Sequence, residues 1–323
     1  MAVALVDARR ATFLAAGHRV SGANQRQDGR APKVTIGMPV YNGARHLARA
    51  LDSLLGQTFA DFELIIADNA STDRTGDICT DYARRDARIR YVRHATNRGA
   101  VYNWNFVVEQ ARGDYFKWAS GNDWCAPGML ESCVRALDDD PSVVVVYGRT
   151  AYIDDDDAQL GIYEHDPEVL DASPSVRFER LCRELRANNA QSGLIRRDVL
   201  LRTGIERDFP GGDMGLMSEL ALHGGFRRLP DVLLYRRLGL ESATKFRTAE
   251  ELRAFLNPSS KNVERCVMWR THWDYVVSVR RATLSLAERL SALRYILRSA
   301  WWYRATLWRE FLVVLRARPP VRT

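Results

Sequence analysis

From Lys33 onward, short apolar runs alternate with stretches whose apolar positions recur at helical spacing. Residues 34–40 read as a strand. Residues 44–57 read as a helix, with Leu47, Leu51, Leu54 and Leu55 forming its apolar stripe. Further strands are expected at 62–67, 89–92, 115–119 and 143–147, the last wholly apolar and therefore central in a sheet. Between them fall three expected helices: one capped by Ser71 and running to about Arg85, one over 101–111, and one opened by Pro127. Strands alternating with helices imply parallel strands joined by right-handed crossovers, an α/β architecture. After Asp154 the alternation weakens. Helices are expected at 174–186 and 213–223, strands at 192–197 and 227–237, and helix from there to about Leu315. No internal repeat is visible. No apolar run approaches the roughly 18 residues of a spanning helix.

Ligands of such sheets bind where strands end. The polar motifs lie there. Pro39, Val40, Tyr41 and Asn42 end the first strand; Asp68, Asn69, Ala70 and Ser71 end the second; Ser120, Gly121, Asn122 and Asp123 end the fourth. Four consecutive acids at 154–157 read as a solvated loop.

The chain has 323 residues with 47 Lys+Arg against 40 Asp+Glu, a formal charge of +7. Its distribution matters more than its sum. Residues 1–32 carry +3, residues 33–240 carry −5 and residues 241–323 carry +9. A nucleic-acid binder would carry its basic face on the main domain, so no nucleic-acid partner is expected. The five cysteines are scattered, with no C-x-x-C and no zinc spacing, which fits a reducing cytoplasm. Residues 1–32 read as a disordered leader, 33–240 as the catalytic domain and 241–323 as a basic helical extension.

The sequence lacks the glycine-rich dinucleotide fingerprint, the P-loop, the nucleophile elbow and the H-E-x-x-H zinc motif. Carboxylates, amides and one arginine remain at the strand ends. Asp68 can accept from a nucleobase N–H, and Tyr41 can stack on a base. Arg98 can pair with phosphate, beside Gly99 where backbone approaches closely. Asp123 can hold a divalent cation on a diphosphate. Taken singly, Asp68, Asn69 and Ser71 also read as turn and cap residues.

The run from Val34 to Asn42, the run from Phe62 to Asp73, and Asn97-Arg98-Gly99 together resemble a family 2 glycosyltransferase of the GT-A fold. The resemblance covers about residues 33–240, with 33–125 as the donor half and 126–240 as the acceptor half. It implies an inverting transfer from a nucleotide-diphosphate sugar to a hydroxyl of a saccharide or lipid-linked acceptor, in cell-surface polysaccharide or glycolipid synthesis. Pro39, Tyr41, Asn42, Asp68 and Asn69 match nucleoside-binding positions, and Ser71 and Asp73 complete the acidic loop. Arg98 and Gly99 match the donor-contacting turn. Residues 120–123 stand where the family has its D-x-D-type metal motif. Asp123 is retained there for Mg²⁺ or Mn²⁺, whereas Asn122 and Ser120 replace acids, so weak metal affinity is expected. Asp213 occupies the place of the family's general base; a plain helix N-cap is the other reading, and Glu219 is the reserve base. Arg236 or Arg237 would face the diphosphate or form a structural salt bridge. Two rival readings are a nucleotide-sugar-binding pseudoenzyme and a sugar-phosphate nucleotidyltransferase.

Residues 284–316 are amphipathic. Arg294, Arg298, Arg309 and Arg316 cluster on one side; Leu290, Leu293, Leu297, Leu307, Trp308, Phe311 and Leu315 lie on another, with Trp301, Trp302 and Tyr303 near the middle. Two readings stand: a helix lying on the anionic inner face of a bacterial plasma membrane, or packing on the catalytic domain or a second subunit of a homodimer.

Overall fold

The computed structural model describes residues 19–21, 30–238, 248–259 and 266–316. The first half runs β1 (Arg19–Ser21), β2 (Val34–Val40), α1 (Ala44–Leu55), β3 (Phe62–Asp68), α2 (Thr75–Arg85), β4 (Ile89–Arg93), α3 (Ala100–Glu109), β5 (Tyr115–Trp118), β6 (Trp124–Cys125) and α4 (Met129–Asp139). It continues with β7 (Val143–Ile153), β8 (Gln159–Tyr163), α5 (Pro174–Glu184), β9 (Leu194–Arg196), α6 (Arg197–Leu200), α7 (Gly212–His223) and β10 (Gly225–Arg237). The C-terminal helices are α8 (Ala249–Leu256), α9 (Val267–Arg281), α10 (Leu286–Trp302) and α11 (Arg304–Arg316).

Among the described residues the strands form one sheet in the order β1-β4-β3-β2-β5-β9-β7-β10-β6, with β8 paired to β7. The strands β4, β3, β2 and β5 are parallel, while β9 runs antiparallel to both β5 and β7. Part of the expected disordered leader is thus an edge strand, since Arg19–Ser21 pairs antiparallel with β4. The rest of it, 1–18 and 22–29, lies outside the described residues, as does the expected boundary at 240.

Both faces of the sheet are covered, as parallel strands require. Leu64 and Ile66 of β3 join Leu47, Leu51 and Leu54 of α1 in one cluster. Ile65 and Ala67 turn the other way, toward Phe106 and Val107 of α3 and Leu216 and Leu220 of α7. Full burial of each such leucine or isoleucine contributes about 1.5–3 kcal/mol, enough to hold strands with few ladder bonds. Pro39, near the end of β2, is tolerated in this inner strand for a local reason. The last β5 partner is Trp118 opposite Gly37, so no ladder amide is required of residue 39. From β2 the chain proceeds through β3 and β4 to one side, and β5 lies on the other. Crevices form outside the carboxyl ends of strands at such a reversal.

Two expected helix starts move. The helix α2 begins at Thr75 rather than after Ser71, and α4 begins two residues past Pro127. The acid run at 154–157 is anchored rather than freely solvated. Asp155 pairs with Arg45 at 3.0 Å, and Asp157 pairs with Arg49 at 3.6 Å and with Arg237.

The C-terminal helices close over a third apolar cluster, where Phe178 and Leu222 meet Val279, Ala292, Tyr295 and Ile296. Beside it Glu219, fully enclosed, pairs with Arg207 and Arg281 and accepts the Gly204 amide. Arg207 also pairs with Asp274 of α9 at 3.0 Å. A Cβ on Gly215 would meet Asp274 Oδ2 at 2.5 Å, so the close approach of α7 to α9 depends on glycine there. These contacts give Glu219 a structural task and remove it as a reserve base. Removing one member of a buried ion cluster leaves uncompensated charge. Glu219→Ala is therefore expected to lower unfolding stability by about 3 kcal/mol or more. Denaturant titration with an unchanged midpoint would show that the cluster is not a clamp.

Candidate active site

Three loops meet at the carboxyl ends of β2, β3 and β4, and their own polar groups tie them together. Asn69, almost fully buried, donates from Nδ2 to Asn97 Oδ1 at 2.9 Å and to the Gly99 carbonyl at 3.1 Å. Its Oδ1 accepts the Arg98 amide at 2.9 Å, and its own amide reaches the Val40 carbonyl at 2.9 Å. One residue thus joins the end of β2 to the turn at 97–99. Asn42 sits in the left-handed region at φ 49°, and its amide donates to Ser71 Oγ at 2.9 Å. Its Oδ1 accepts the Thr72 amide at 2.8 Å. Ser71 is therefore no helix cap; its hydroxyl serves Asn42.

Asp68 is enclosed. Its carboxylate accepts the Ser71 amide and the Tyr91 hydroxyl, each at 2.8 Å, and Arg93 Nη1 at 3.3 Å. As placed, it organises the loop instead of presenting an oxygen to a base. Asp73 links two helix starts, accepting the Ala44 amide at 3.1 Å and the Thr75 amide at 2.9 Å. Burial opposes its ionisation, but the bonds from Thr75 and Ala44 prevail and hold its carboxyl below the usual range. Tyr41 is 48% exposed at the rim. The Arg98 guanidinium lies 3.6 Å over the Tyr102 ring. Gly99 caps α3 at φ 89°, and a Cβ there would meet the Leu256 carbonyl at 2.4 Å. The turn at 97–99 is therefore packed directly under the end of α8.

The second group surrounds Asp123. Its Oδ1 accepts the Arg237 amide at 2.9 Å, and the Arg237 side chain reaches the Asn122 carbonyl at 3.2 Å. Burial raises the Asp123 pKa, against the Arg237 amide and the charges of Arg236, Lys117 and Arg237. Lys117 is almost wholly buried, donating to the carbonyls of Ser192 and Trp118. Among the described residues no three His, Cys, Asp or Glu side chains group to hold a metal. A lone carboxylate beside an amide and a hydroxyl fits a hard cation that takes most of its ligands from diphosphate and water. Arg236 donates to the Ala187 carbonyl and to Asn189 Oδ1, both at 2.7 Å, so it braces the neighbouring turn.

The third group lies in a cleft of about 210 Å³ walled by Val101, Trp104, Phe209, Leu252, Phe255 and Leu256. Two carboxyls face it, Asp213 and Glu206. Asp213 is in the first turn of α7, and Gly211, left-handed at φ 84°, occupies the N-cap position, which removes the alternative reading of Asp213 as a plain cap. Asn188 Nδ2 donates to Asp213 Oδ2 at 2.9 Å. Gln191 Nε2 donates to Glu206, whose backbone is clasped on both sides by Asn105. Burial pushes Glu206 up to about 8, aided by the charge of Asp213 and opposed by Arg207 and Gln191.

The second and third groups share a support that the sequence did not reveal, the turn at 188–192. Asn188 holds Asp213, Asn189 holds Arg236, Gln191 holds Glu206 and Ser192 receives Lys117. Asn188 is left-handed at φ 46°, and its buried Oδ1 has no hydrogen-bond partner among the described residues. That backbone strain, in an asparagine, is the one local signal available. The helix α3 completes the link: Gly99 at its cap belongs to the donor turn, and Val101 lines the cleft.

Comparison with known proteins bears on the fold and the family. Solved structures of S. aureus TarS residues 1–349 align over 83% of this chain and 72% of theirs: the complex with UDP at TM-score 0.57 and 16% identity, the complex with UDP-GlcNAc at 0.59 and 17%. The mannosyltransferase PcManGT from Pyrobaculum calidifontis, solved with GDP-Man and Mn²⁺, aligns over 96% of this chain and 92% of its own at TM-score 0.50 and 18% identity. At these identities the likeness shows the fold, the expected GT-A-type α/β sheet with a helical C-terminal region. Among sequences, the uncharacterized glycosyltransferase EpsJ of Bacillus subtilis is 39% identical over 100 residues, 31% of this chain and 29% of that protein. The putative glycosyltransferase EpsE of the same organism is 37% identical over 108 residues, 33% of this chain and 39% of that protein. The chain thus matches only about a third of the length of these relatives. The model of glycosyl transferase family 2 matches residues 35–200, half of the chain, and the protein belongs to that family.

Proposed function

We propose that the protein is an inverting glycosyltransferase that moves a sugar from a nucleotide-diphosphate sugar to a hydroxyl of a saccharide or lipid-linked acceptor. Its place would be the cytoplasmic face of a bacterial plasma membrane, in cell-surface polysaccharide or glycolipid synthesis. One observation carries the reading. The cleft lined by Asp213 is also lined by Val101 of α3, two residues past Gly99 at the cap of that helix, so one helix supports both the cleft and the turn of Arg98 and Gly99. The UDP, UDP-GlcNAc and GDP-Man named with the fold neighbours support a nucleotide-sugar donor.

In this reading Pro39, Tyr41, Asn42 and Asn69 form the nucleoside side, shaped by Asp68, Ser71 and Asp73. Arg98 and the fixed charge of Arg236 draw the diphosphate, while Arg237 takes the structural salt bridge, with Asp157. Asp213 removes the proton from the acceptor hydroxyl. The acceptor oxygen bonds to the anomeric carbon as the carbon–oxygen bond to the diphosphate breaks on the opposite face. The sugar passes through an oxocarbenium-like state, and the nucleoside diphosphate departs. Asp123, with Asn122 beside it, would hold Mg²⁺ or Mn²⁺, which when bound supplies charge neutralisation on the diphosphate. Glu206, protonated below about pH 8, lies beside Asp213 without adding a second negative charge.

A thermal-shift panel of UDP-, GDP-, dTDP- and CDP-sugars with Mn²⁺ tests the donor class; stabilisation by one set is expected, and none by any of them would overturn the reading. With the donor known, Asp213→Asn should lower turnover by about 10²-fold or more and leave donor binding intact, the usual loss of a general base. Near-normal turnover would remove Asp213 from the role. Tight donor binding without turnover for any acceptor would instead assign donor binding alone.

Glu206 gives a pH signature. Its folded pKa, about 8, lies above the ordinary 4.5, so its neutral form favours folding below pH 4.5. That advantage is lost progressively as pH rises toward 8. Glu206→Gln stays neutral throughout. Its melting temperature relative to the native chain should climb between those values and level off above, whereas a constant difference would show that Glu206 is ionised in the fold.

A further inference from the structure

The C-terminal helices carry two apolar faces and cover one. The helix α10 turns Ala292, Tyr295, Ile296 and Ser299 inward, where the first three join the cluster around Phe178 and Val279. At 100° per residue, Leu286, Leu290, Leu297 and Trp301 lie within about 60° of one another on the far side. Leu290 is 57% exposed, Leu297 72% and Trp301 66%. The helix α11 repeats the arrangement: Leu307 is buried, while Trp308, Phe311 and Leu315 form an exposed stripe. The helix α9 adds exposed Trp269, whose Nε1 donates to the Leu307 carbonyl at 3.0 Å, so it lies alongside α11. Scattered exposed leucines are ordinary; an assembled set with three tryptophans calls for an occupant. The catalytic domain does not cover this face among the described residues.

Charge selects the occupant. The acids of 284–316 are both spent locally: Glu288 accepts from Ser173 and Ser175, and Glu310 accepts the Met268 and Trp269 amides at the start of α9. The exposed positions beside the stripes are Arg294, Arg298, Arg304 and Arg309. Arg304 lies 4.6 Å over the Trp301 ring, and Arg298 lies 5.1 Å over the Trp302 ring while pairing with Glu179. A second copy docked by two-fold symmetry would set these arginines near their own images with no free acid between them. No described helix is long and apolar enough to cross a bilayer. A face of Trp and Leu edged by Arg matches instead the boundary between anionic headgroups and acyl chains.

We propose that the outward faces of α9, α10 and α11 form a docking surface for an anionic lipid bilayer, on which the helices lie without spanning it. This inference rests on the reading above for its location and deepens it by naming the surface. The full chain is sedimented with vesicles of neutral phosphatidylcholine and with vesicles containing phosphatidylglycerol, alongside the variant Leu290→Ser/Leu297→Ser/Trp301→Ser. These positions are exposed, and donor-induced thermal shift verifies that the variant is folded. At least tenfold more native chain should sediment with anionic than with neutral vesicles, with a blue shift in tryptophan fluorescence and weakening in high salt. The variant should lose at least tenfold of that binding and keep its donor response. Equal sedimentation of native chain and variant would overturn the proposal, and so would a concentration-dependent dimer abolished in the variant without vesicle binding. Vesicle binding by a chain that responds to no donor would count against the transferase reading and leave the surface standing.

Discussion

Loops that leave the carboxyl ends of parallel strands carry amides with no ladder partner, and in a ligand site they must be held still without filling the space the ligand needs. Here the side chains of Asp68 and Asn69 meet that constraint. Each is fully or almost fully buried: Asp68 bonds to Ser71 of its own loop and to Tyr91 and Arg93 of β4, and the Asn69 side chain bonds to Asn97, Arg98 and Gly99 while its amide reaches Val40. A saturated buried network of this kind is rigid, because any loosened bond leaves a polar atom unsolvated. Asn103 supports it from below, donating to the Ala67 carbonyl at 2.7 Å and holding His94 at 3.0 Å. The positions of Tyr41, Arg98 and Gly99 follow from this arrangement.

The parts of the fold governed by short-range pattern were legible. The runs 34–40 and 62–67 became β2 and β3 because period-two apolar residues with helices on both faces leave little choice. The donor loops were legible because their motifs are contiguous. What escaped depends on contacts distant in sequence. The turn at 188–192 reads as an unremarkable polar stretch, and its purpose shows only when Asp213, Glu206, Arg236 and Lys117 arrive from four other segments. Lys117 in β5 gave no sign of its partners, yet carbonyls of Trp118 and Ser192 receive its ammonium inside the core. Ser71 carried a true capping chemistry but spends it on Asn42, and Gly211 took the cap that was the alternative reading of Asp213. The two exposed stripes of α10 and α11 were visible as amphipathicity; which face the domain would cover was not.

The charge pattern gains a physical meaning from the structure. Within 33–238, acids and arginines are largely matched to one another: Asp155 and Asp157 to Arg45, Arg49 and Arg237, Glu63 to Arg112, and Asp86 to Arg88. The net negative charge of this body is thus mostly engaged in holding loops. Asp213 and Glu206 instead face the cleft with amide partners, and Asp123 lies near Arg236, Lys117 and Arg237. In the C-terminal helices the balance reverses. Acids are consumed locally, and arginines remain outside.

The cluster around Glu219 bears on what a minimal working unit of this chain can be. The segment that matches the family ends at residue 200, and a cut soon after the sheet would look like a natural place to isolate it. Such a cut removes Asp274, Ser278 and Arg281, leaving Glu219 and Arg207 to face each other across an opened seam. Arg207 follows Glu206 directly in the chain, so the disturbance would reach the floor of the cleft within one residue. The family match and the mechanical unit therefore do not coincide here: the basic extension forms part of the frame behind Glu206 and Asp213.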